Sequence, residues 1–463
     1  LGDAIVRDLY RDPDYLDDPL LTEYVQGIWQ PLLVAARARG DLSPELSDRF
    51  AWVILMGRDR SVNAFALPGG YFGLHLGLLA VVTRADELAS VLSHELSHVT
   101  QRHIARLIGR QEQQAPWVIG AMVLGALAAS KSPDSANALL VGSRAVAAQS
   151  QLNFSRDMER EADRMGLGVL LEAGFDGRGF VTMFDKLQQA SRLNDNSAYP
   201  YLRSHPLTTE RIADLQTRQP QTATPVAPPV LEQALASMRA RVLAEAGVDG
   251  LLARRQEADA AGFSGWDPLR QAVALYGAAL AAQRLRDPLA ARAYRSRLEP
   301  LVQHDEAGRR WFALLGLEAA VSEGGKSLAQ ALPADWIGTA ALGLRRPELL
   351  LMAAVAQQTD RADLRFTALQ ALQGWVQRQP LDASAWDALA ALYGLQGQTL
   401  RALRAQAEAQ VARRDPAAAI DRLNAAQDRV RGGASLTAAD QIDAAIIDTR
   451  RRQLESALRE QAL

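Results

Sequence analysis

Two histidines four residues apart in an apolar helical pattern constrain this chain more than any other feature. From Arg84 to Arg110, Leu88, Val91, Leu92, Leu96 and Val99 recur at spacings of three and four, which predicts a helix. His94-Glu95-Leu96-Ser97-His98 lies inside it. Helical geometry sets His94 and His98 one turn apart on one face, where two imidazoles can bind one metal ion. The H-E-x-x-H pattern suits one Zn²⁺ per chain, with Glu95 placed to take a proton from water. The bland alternative is a pair of solvated helix histidines. Against it, Val91 and Leu92 lead into the motif as they would on a buried helix.

Composition narrows the donor set. The 463 residues include six histidines and no cysteine, so disulfides and thiolate metal sites are excluded. The metal must then be held by imidazole and carboxylate, which suits hydrolysis better than a structural thiolate site. A catalytic zinc needs a third protein ligand and an open position. Glu159-Arg160-Glu161-Ala162-Asp163 lies in a second predicted helix, Phe154–Ala173, and places Glu159 and Asp163 on one face. One can ligate while the other accepts the second N–H of a liganding histidine. We assign Glu159 as the ligand and Asp163 as the group orienting His94. Glu161 points about 160° away and is left off that face.

Elsewhere the chain divides. Gln219–Val230 holds four prolines in twelve residues and no charge, so it reads as a linker. Residues 1–218 form a mixed region; residues 231–463 are rich in alanine, leucine and arginine and read as helical. Ala51–Met56 and Ser61–Ala66 are short β-branched or aromatic runs that predict a strand pair, closed by Pro68-Gly69-Gly70. Residues 116–148 are largely apolar, in two stretches too short to span a bilayer. They fit either a buried hairpin or an exposed lid, or an apolar plate touching a membrane surface. Downstream, Trp386, Leu389, Ala390, Tyr393, Ala402 and Ala409 fall at tetratricopeptide spacing, with Ala368, Leu372 and Pro380 one period earlier. Stacked repeats of that kind leave a concave surface, so this part reads as a binder. A generic helical bundle is the alternative. Formal charge is -2, from 51 basic and 53 acidic residues, which gives no support to nucleic-acid binding.

Three stretches in order carry a resemblance: Asn63–Gly70 (NAFALPGG), His94–His98 and Glu159–Asp163. Together they resemble the gluzincins that include HtpX and the CAAX prenyl endopeptidases, peptidase family M-forty-eight. The resemblance implies an α+β, zincin-like metalloprotease domain, mostly helical, with a small sheet and an edge strand. It places the third zinc ligand at Glu159. A zinc domain followed by an all-α tetratricopeptide-repeat domain looks like the BepA-type periplasmic proteases of Gram-negative bacteria. That likeness implies a periplasmic protein whose leader, absent before Leu1, has been removed. It also implies unfolded outer-membrane β-barrel precursors as substrate and the barrel-assembly machinery as a partner of the repeats. Ser204-His205-Pro206 resembles the H-P segment of those proteins, whose histidine can take the fourth zinc position. Mapped here, His205 is an inhibitory fourth ligand on a loop, and Arg211 is read as holding that loop through an ion pair.

The expected chemistry is zinc-assisted peptide hydrolysis with Glu95 moving the proton. Asn63, Ala64, Phe65 and Ala66 are the expected substrate-binding residues, since an edge strand can add an extended chain through its main chain. A second reading is a chaperone or adaptor with a latent protease site. Of the other histidines, His103 is expected in a supporting or surface position and His75 in the core; His304 is given no role.

Overall fold

The computed structural model describes residues 2–110, 155–193, 199–218, 230–324, 328, 343–432 and 437–461. The apolar stretch 116–148 and residues 219–229 of the expected linker lie outside the described residues.

Helices dominate, with one four-stranded mixed sheet of β1 (Tyr15–Leu16), β2 (Val53–Gly57), β3 (Ala64–Leu67) and β4 (Tyr71–His75). Spatial order is β1-β2-β4-β3. The expected strand pair is therefore corrected: both runs are strands, but β4 lies between them. It runs parallel to β2, with Val53 opposite Tyr71, and antiparallel to β3, with Ala64 opposite Leu74. The cause is the turn. Gly69 and Gly70 adopt φ of 88° and 77°, which returns the chain along β3. A Cβ on Gly70 would stand 2.7 Å from that of Phe50. All five β4 residues are buried, so this strand shows no alternation to read. The edge strand β3 starts at Ala64, three residues after the start of the run that signalled it.

Helices α1 (Gly2–Tyr10), α2 (Pro19–Ala38), α3 (Pro44–Arg49) and α4 (Leu76–Val81) lead to α5 (Ala85–Thr100), the motif helix. Helices α6 (His103–Arg110), α7 (Arg156–Glu172) and α8 (Arg178–Leu193) follow. α2, α7, α8 and β3 pack around α5, and every residue from Glu87 to Val99 is buried. Its serines are satisfied within the helix: Ser90, Ser93 and Ser97 donate to carbonyls three or four residues back at 2.7–3.0 Å. Gly166 lets α7 cross close to the motif, since a Cβ there would lie 3.2 Å from the His94 nitrogen. The predicted helix to Arg110 is in fact two helices, broken at Gln101–Arg102, where Arg102 has a left-handed φ of 55°.

The compact units are Leu1–Phe312 and Ala313–Leu463, so they do not divide at the proline-rich stretch. Helix Leu231–Ala244 packs on α4 and belongs to the first unit. It buries Arg239, whose guanidinium holds both oxygens of Asp18 at 2.8 and 2.7 Å. Asp18 also caps α2 through the Leu21 N–H. Ser237 donates to the Val82 carbonyl at 2.8 Å.

In the second unit, successive helices Arg346–Gln358, Ala362–Arg378, Ala383–Leu395, Thr399–Ala412 and Pro416–Arg431 pack against their neighbours. Their core is small and aliphatic, including Met352, Val355, Ala368, Leu372, Leu389, Ala390 and Tyr393. Of the residues at repeat spacing, Ala368, Leu372, Leu389, Ala390, Tyr393, Ala402 and Ala409 are buried, Trp386 is half-buried and Pro380 is exposed. Among the described residues, no helix is long and apolar enough to cross a membrane.

Candidate metal centre

α5 supplies His94, Glu95 and His98, and α7 supplies Glu159 and Asp163. A short helix α9 (Pro200–Ser204) ends at His205, and α10 (Thr209–Arg218) carries Arg211. All seven side chains are buried, none more than 3% exposed. Ser155 caps α7 by accepting the Met158 N–H at 3.3 Å, starting the helix one turn before Glu159.

Four donor groups converge. His94, His98, Glu159 and His205 each offer one atom to a cluster whose atoms all lie within 4.8 Å of one another. His94 Nε2 is 3.0 Å from His98 Nε2, 3.3 Å from His205 Nδ1 and 3.5 Å from Glu159 Oε2. Glu159 Oε1 lies 3.4 Å from His98 Nε2 and 3.0 Å from His205 Nδ1. Ligands about 2.0–2.1 Å from a tetrahedral zinc stand about 3.4 Å apart, so these separations match the edges of such a shell. Imidazole nitrogens facing one another at this spacing cannot all be paired by protons. A cation of this class fits the donor set.

Orienting groups surround it. His94 Nδ1 is 3.0 Å from Asp163 Oδ1. Arg211 grips Asp163 with two bonds of 2.7 Å, approaches Glu159 Oε2 at 2.9 Å and donates to the Pro206 carbonyl at 2.8 Å. Its ion pairs run to Asp163 and Glu159, and its grip on the His205 loop is that last hydrogen bond to backbone.

In the metal-free state the charges sort as this geometry requires. Burial would lower the His94 pKa, but Asp163 and Glu159 outweigh it and push it up to about 9. Burial, then repulsion from His94, drives His98 well below the usual histidine range. Burial opposes ionisation of Glu159, yet His205 and His94 hold it well below the usual carboxylate range. Burial likewise opposes ionisation of Asp163, and Arg211 reverses it. Burial raises Glu95, against the pull of His205 and His94. Glu95 makes no strong hydrogen bond: its nearest partners are the Ala66 backbone N–H and His205 Nε2, 3.3 Å from Oε1. A buried carboxylate so weakly partnered is costly, and such groups cluster at functional positions.

β3 packs on the motif helix, and Asn63, the residue before that strand, is buried with its Oδ1 making no hydrogen bond. Two residues, Tyr201 and Glu161, escaped the sequence reading, and His103 takes the supporting position of the two it was offered. Tyr201 packs its ring on His205, centroids 4.7 Å apart, and leaves its hydroxyl buried without a partner. Its position four residues before His205 on a helical turn was the available signal. His103 and Glu161 join the site through the break after α5, which no glycine or proline announces. His75 is in the core, bonded to Ser61 Oγ at 2.9 Å.

Comparison with known proteins agrees with this geometry. The sequence pattern of Peptidase family M48 matches residues 23–219. The chain is 36% identical over 249 residues to a putative beta-barrel assembly-enhancing protease of Vibrio cholerae, covering 54% of this chain and 49% of that protein. It is 35% identical over 225 residues to the beta-barrel assembly-enhancing protease of Escherichia coli, covering 48% and 43%. To the protein of that name from Yersinia pestis it is 30% identical over 436 residues, covering 94% and 84%. The matched stretch thus spans about half the length of the first two relatives and most of the third. With these matches and a buried donor set suited to zinc, the chain belongs to peptidase family M48, the zinc metalloproteases that include the beta-barrel assembly-enhancing proteases.

Proposed function

We propose that this protein is a zinc endopeptidase in which His94, His98 and Glu159 hold the metal and Glu95 moves the proton. One observation carries the reading: atoms of His94, His98, Glu159 and His205 converge at the spacing of a tetrahedral shell beside the buried carboxylate of Glu95. Zinc held there supplies Lewis acidity toward a peptide carbonyl and lowers the pKa of an adjacent water. Glu95 takes a proton from that water and returns it to the leaving amine. Asp163 keeps His94 in the tautomer that faces the metal, and Arg211 fixes Asp163.

His205 acts as a gate. Its Nδ1 is in the donor cluster and its Nε2 is 3.3 Å from Glu95, so the ring fills the place between metal and base. Activity then requires that the Pro206 loop move. The edge strand β3, with Asn63, Ala64, Phe65 and Ala66, takes an extended polypeptide by main-chain pairing. The substrates are unfolded or misassembled chains, in keeping with relatives named for β-barrel assembly. The reading continues with outer-membrane precursors as those chains, the periplasm as the compartment, and tetratricopeptide-like repeats as the surface that meets the assembly machinery. The helix succession and the inward-facing Leu389, Ala390 and Tyr393 support the repeat reading.

The alternative, a chaperone or adaptor with a latent site, draws on the same position of His205. Cleavage of denatured casein and zinc content, measured on the parent, Glu95→Gln and His205→Ala, separate the two. The endopeptidase reading expects zinc in all three, more cleavage by His205→Ala than by the parent, and a loss of about 10²–10⁴-fold in Glu95→Gln. Zinc binding with no cleavage by either the parent or His205→Ala leaves the adaptor reading.

A further inference from the structure

The break between α5 and α6 folds His103 back onto His98. On one continuous helix it would stand about 140° round from His98. Instead, Gln101 closes α5 by donating its N–H to the Ser97 carbonyl at 2.9 Å, and Arg102 turns left-handed at φ 55°. A residue other than glycine adopts that conformation only where its surroundings hold it. His103 begins α6 fully buried, its Nδ1 2.9 Å from His98 Nδ1 and its Nε2 3.0 Å from Glu161 Oε2. Arg106, one turn on, lies 3.0 Å from the same carboxylate oxygen. Glu161 is 34% exposed, so the chain of groups runs from the metal cluster to the surface.

The proton positions follow from donor rules. His98 faces the donor cluster through Nε2, so its ring proton is on Nδ1. Two Nδ1 atoms at 2.9 Å share one proton, and His98 is the donor. His103 therefore accepts on Nδ1, keeps its own proton on Nε2, and donates it to Glu161. We propose that His103 and Glu161 are positioning residues that fix the ring orientation and tautomer of His98 for zinc. His94 obtains the same service from Asp163 directly. The inference rests on His94, His98 and Glu159 as the ligands.

The test uses the full chain, stripped of metal and titrated with Zn²⁺ against a chromophoric chelator, then with Co²⁺ for its visible spectrum. His103→Phe keeps a ring but removes the acceptor; His103→Gln restores an acceptor oxygen; Glu161→Gln keeps the oxygen and removes the charge. Expected is about 10–100-fold weaker zinc binding in His103→Phe with an altered Co²⁺ spectrum. Substantial recovery is expected in His103→Gln, and a smaller loss in Glu161→Gln. Metal-free melting should stay near that of the parent, whereas a packing role alone would lower melting and leave metal affinity untouched. Parental zinc affinity and Co²⁺ spectrum in His103→Phe overturn the relay. If that variant does not fold by circular dichroism, parental affinity in Glu161→Gln overturns it instead. A parent that binds no zinc sinks the metal-site reading, and the relay with it.

Discussion

The two compact units bury opposite kinds of residue. Around α5 the first unit encloses four histidines, three carboxylates and an arginine, each at most 3% exposed: His94, His98, His103, His205, Glu95, Glu159, Asp163 and Arg211. The second unit is built on alanine, leucine and valine, and its buried polar residues among those described are Glu348, Thr367, Asp415 and Asp443. Apolar burial stabilises a fold wherever it occurs. Burying charge costs free energy unless every group finds a partner. The first unit accepts that cost where a cation and a moving proton need a dry site; the second has no such demand.

This contrast can be broken experimentally, beginning with the largest effect. Arg239→Ala strands the Asp18 carboxylate in the first unit and is expected to cost about 3–5 kcal/mol in chemical denaturation. A loss below about 1 kcal/mol would mean that Asp18 is hydrated. Next, chelation should remove up to about 4 kcal/mol of stability if zinc stands near a thousand times its dissociation constant. Hydrogen exchange should report that loss in Ala85–Thr100 and Arg156–Glu172 and leave Ala383–Ala412 unchanged. Equal loss of protection in both regions would end the contrast. Leu372→Ala, in the aliphatic core, should cost about 3 kcal/mol whether or not metal is present.

The smallest effect concerns pH. Asp363, beside Arg361 at the start of its helix, has its pKa held down to about 2 from 3.8, chiefly by its bond to Arg361. A depressed folded-state pKa contributes stability above pH 3.8 that fades as pH falls toward 2. The pair is exposed, so Asp363→Asn should shift the melting midpoint only slightly at pH 7 and not at all near pH 2. A shift that grows on acidification would contradict the assignment.

The contrast also explains what could be read in the sequence. That His94 and His98 share one face was legible because the i and i+4 spacing is a property of the helix itself. Glu159 and Asp163 followed for the same reason. β4 was hidden because a strand buried on both faces does not alternate. The helix break was hidden because Arg102 holds a left-handed turn through its surroundings, and the contact of His103 with Glu161 was hidden with it. The first compact unit continues past the proline-rich stretch, since packing rather than composition decides where a unit ends. Arg239 reaches Asp18 from 221 positions away. Each miss was a long-range contact or a conformation imposed from outside its own segment.

Arg211 ties two equilibria together. One guanidinium holds Asp163, touches Glu159 and bonds the carbonyl of Pro206. On the proposed gate, displacing the Pro206 loop would break the last of these bonds and loosen the guanidinium's hold on Asp163 and Glu159, and with it the affinity for cation. By thermodynamic linkage the effect is reciprocal: a bound cation must change the loop-opening equilibrium by the same factor. Metal supply and substrate access would then be two handles on that proposed gate, and zinc titration of loop mobility would measure their coupling directly.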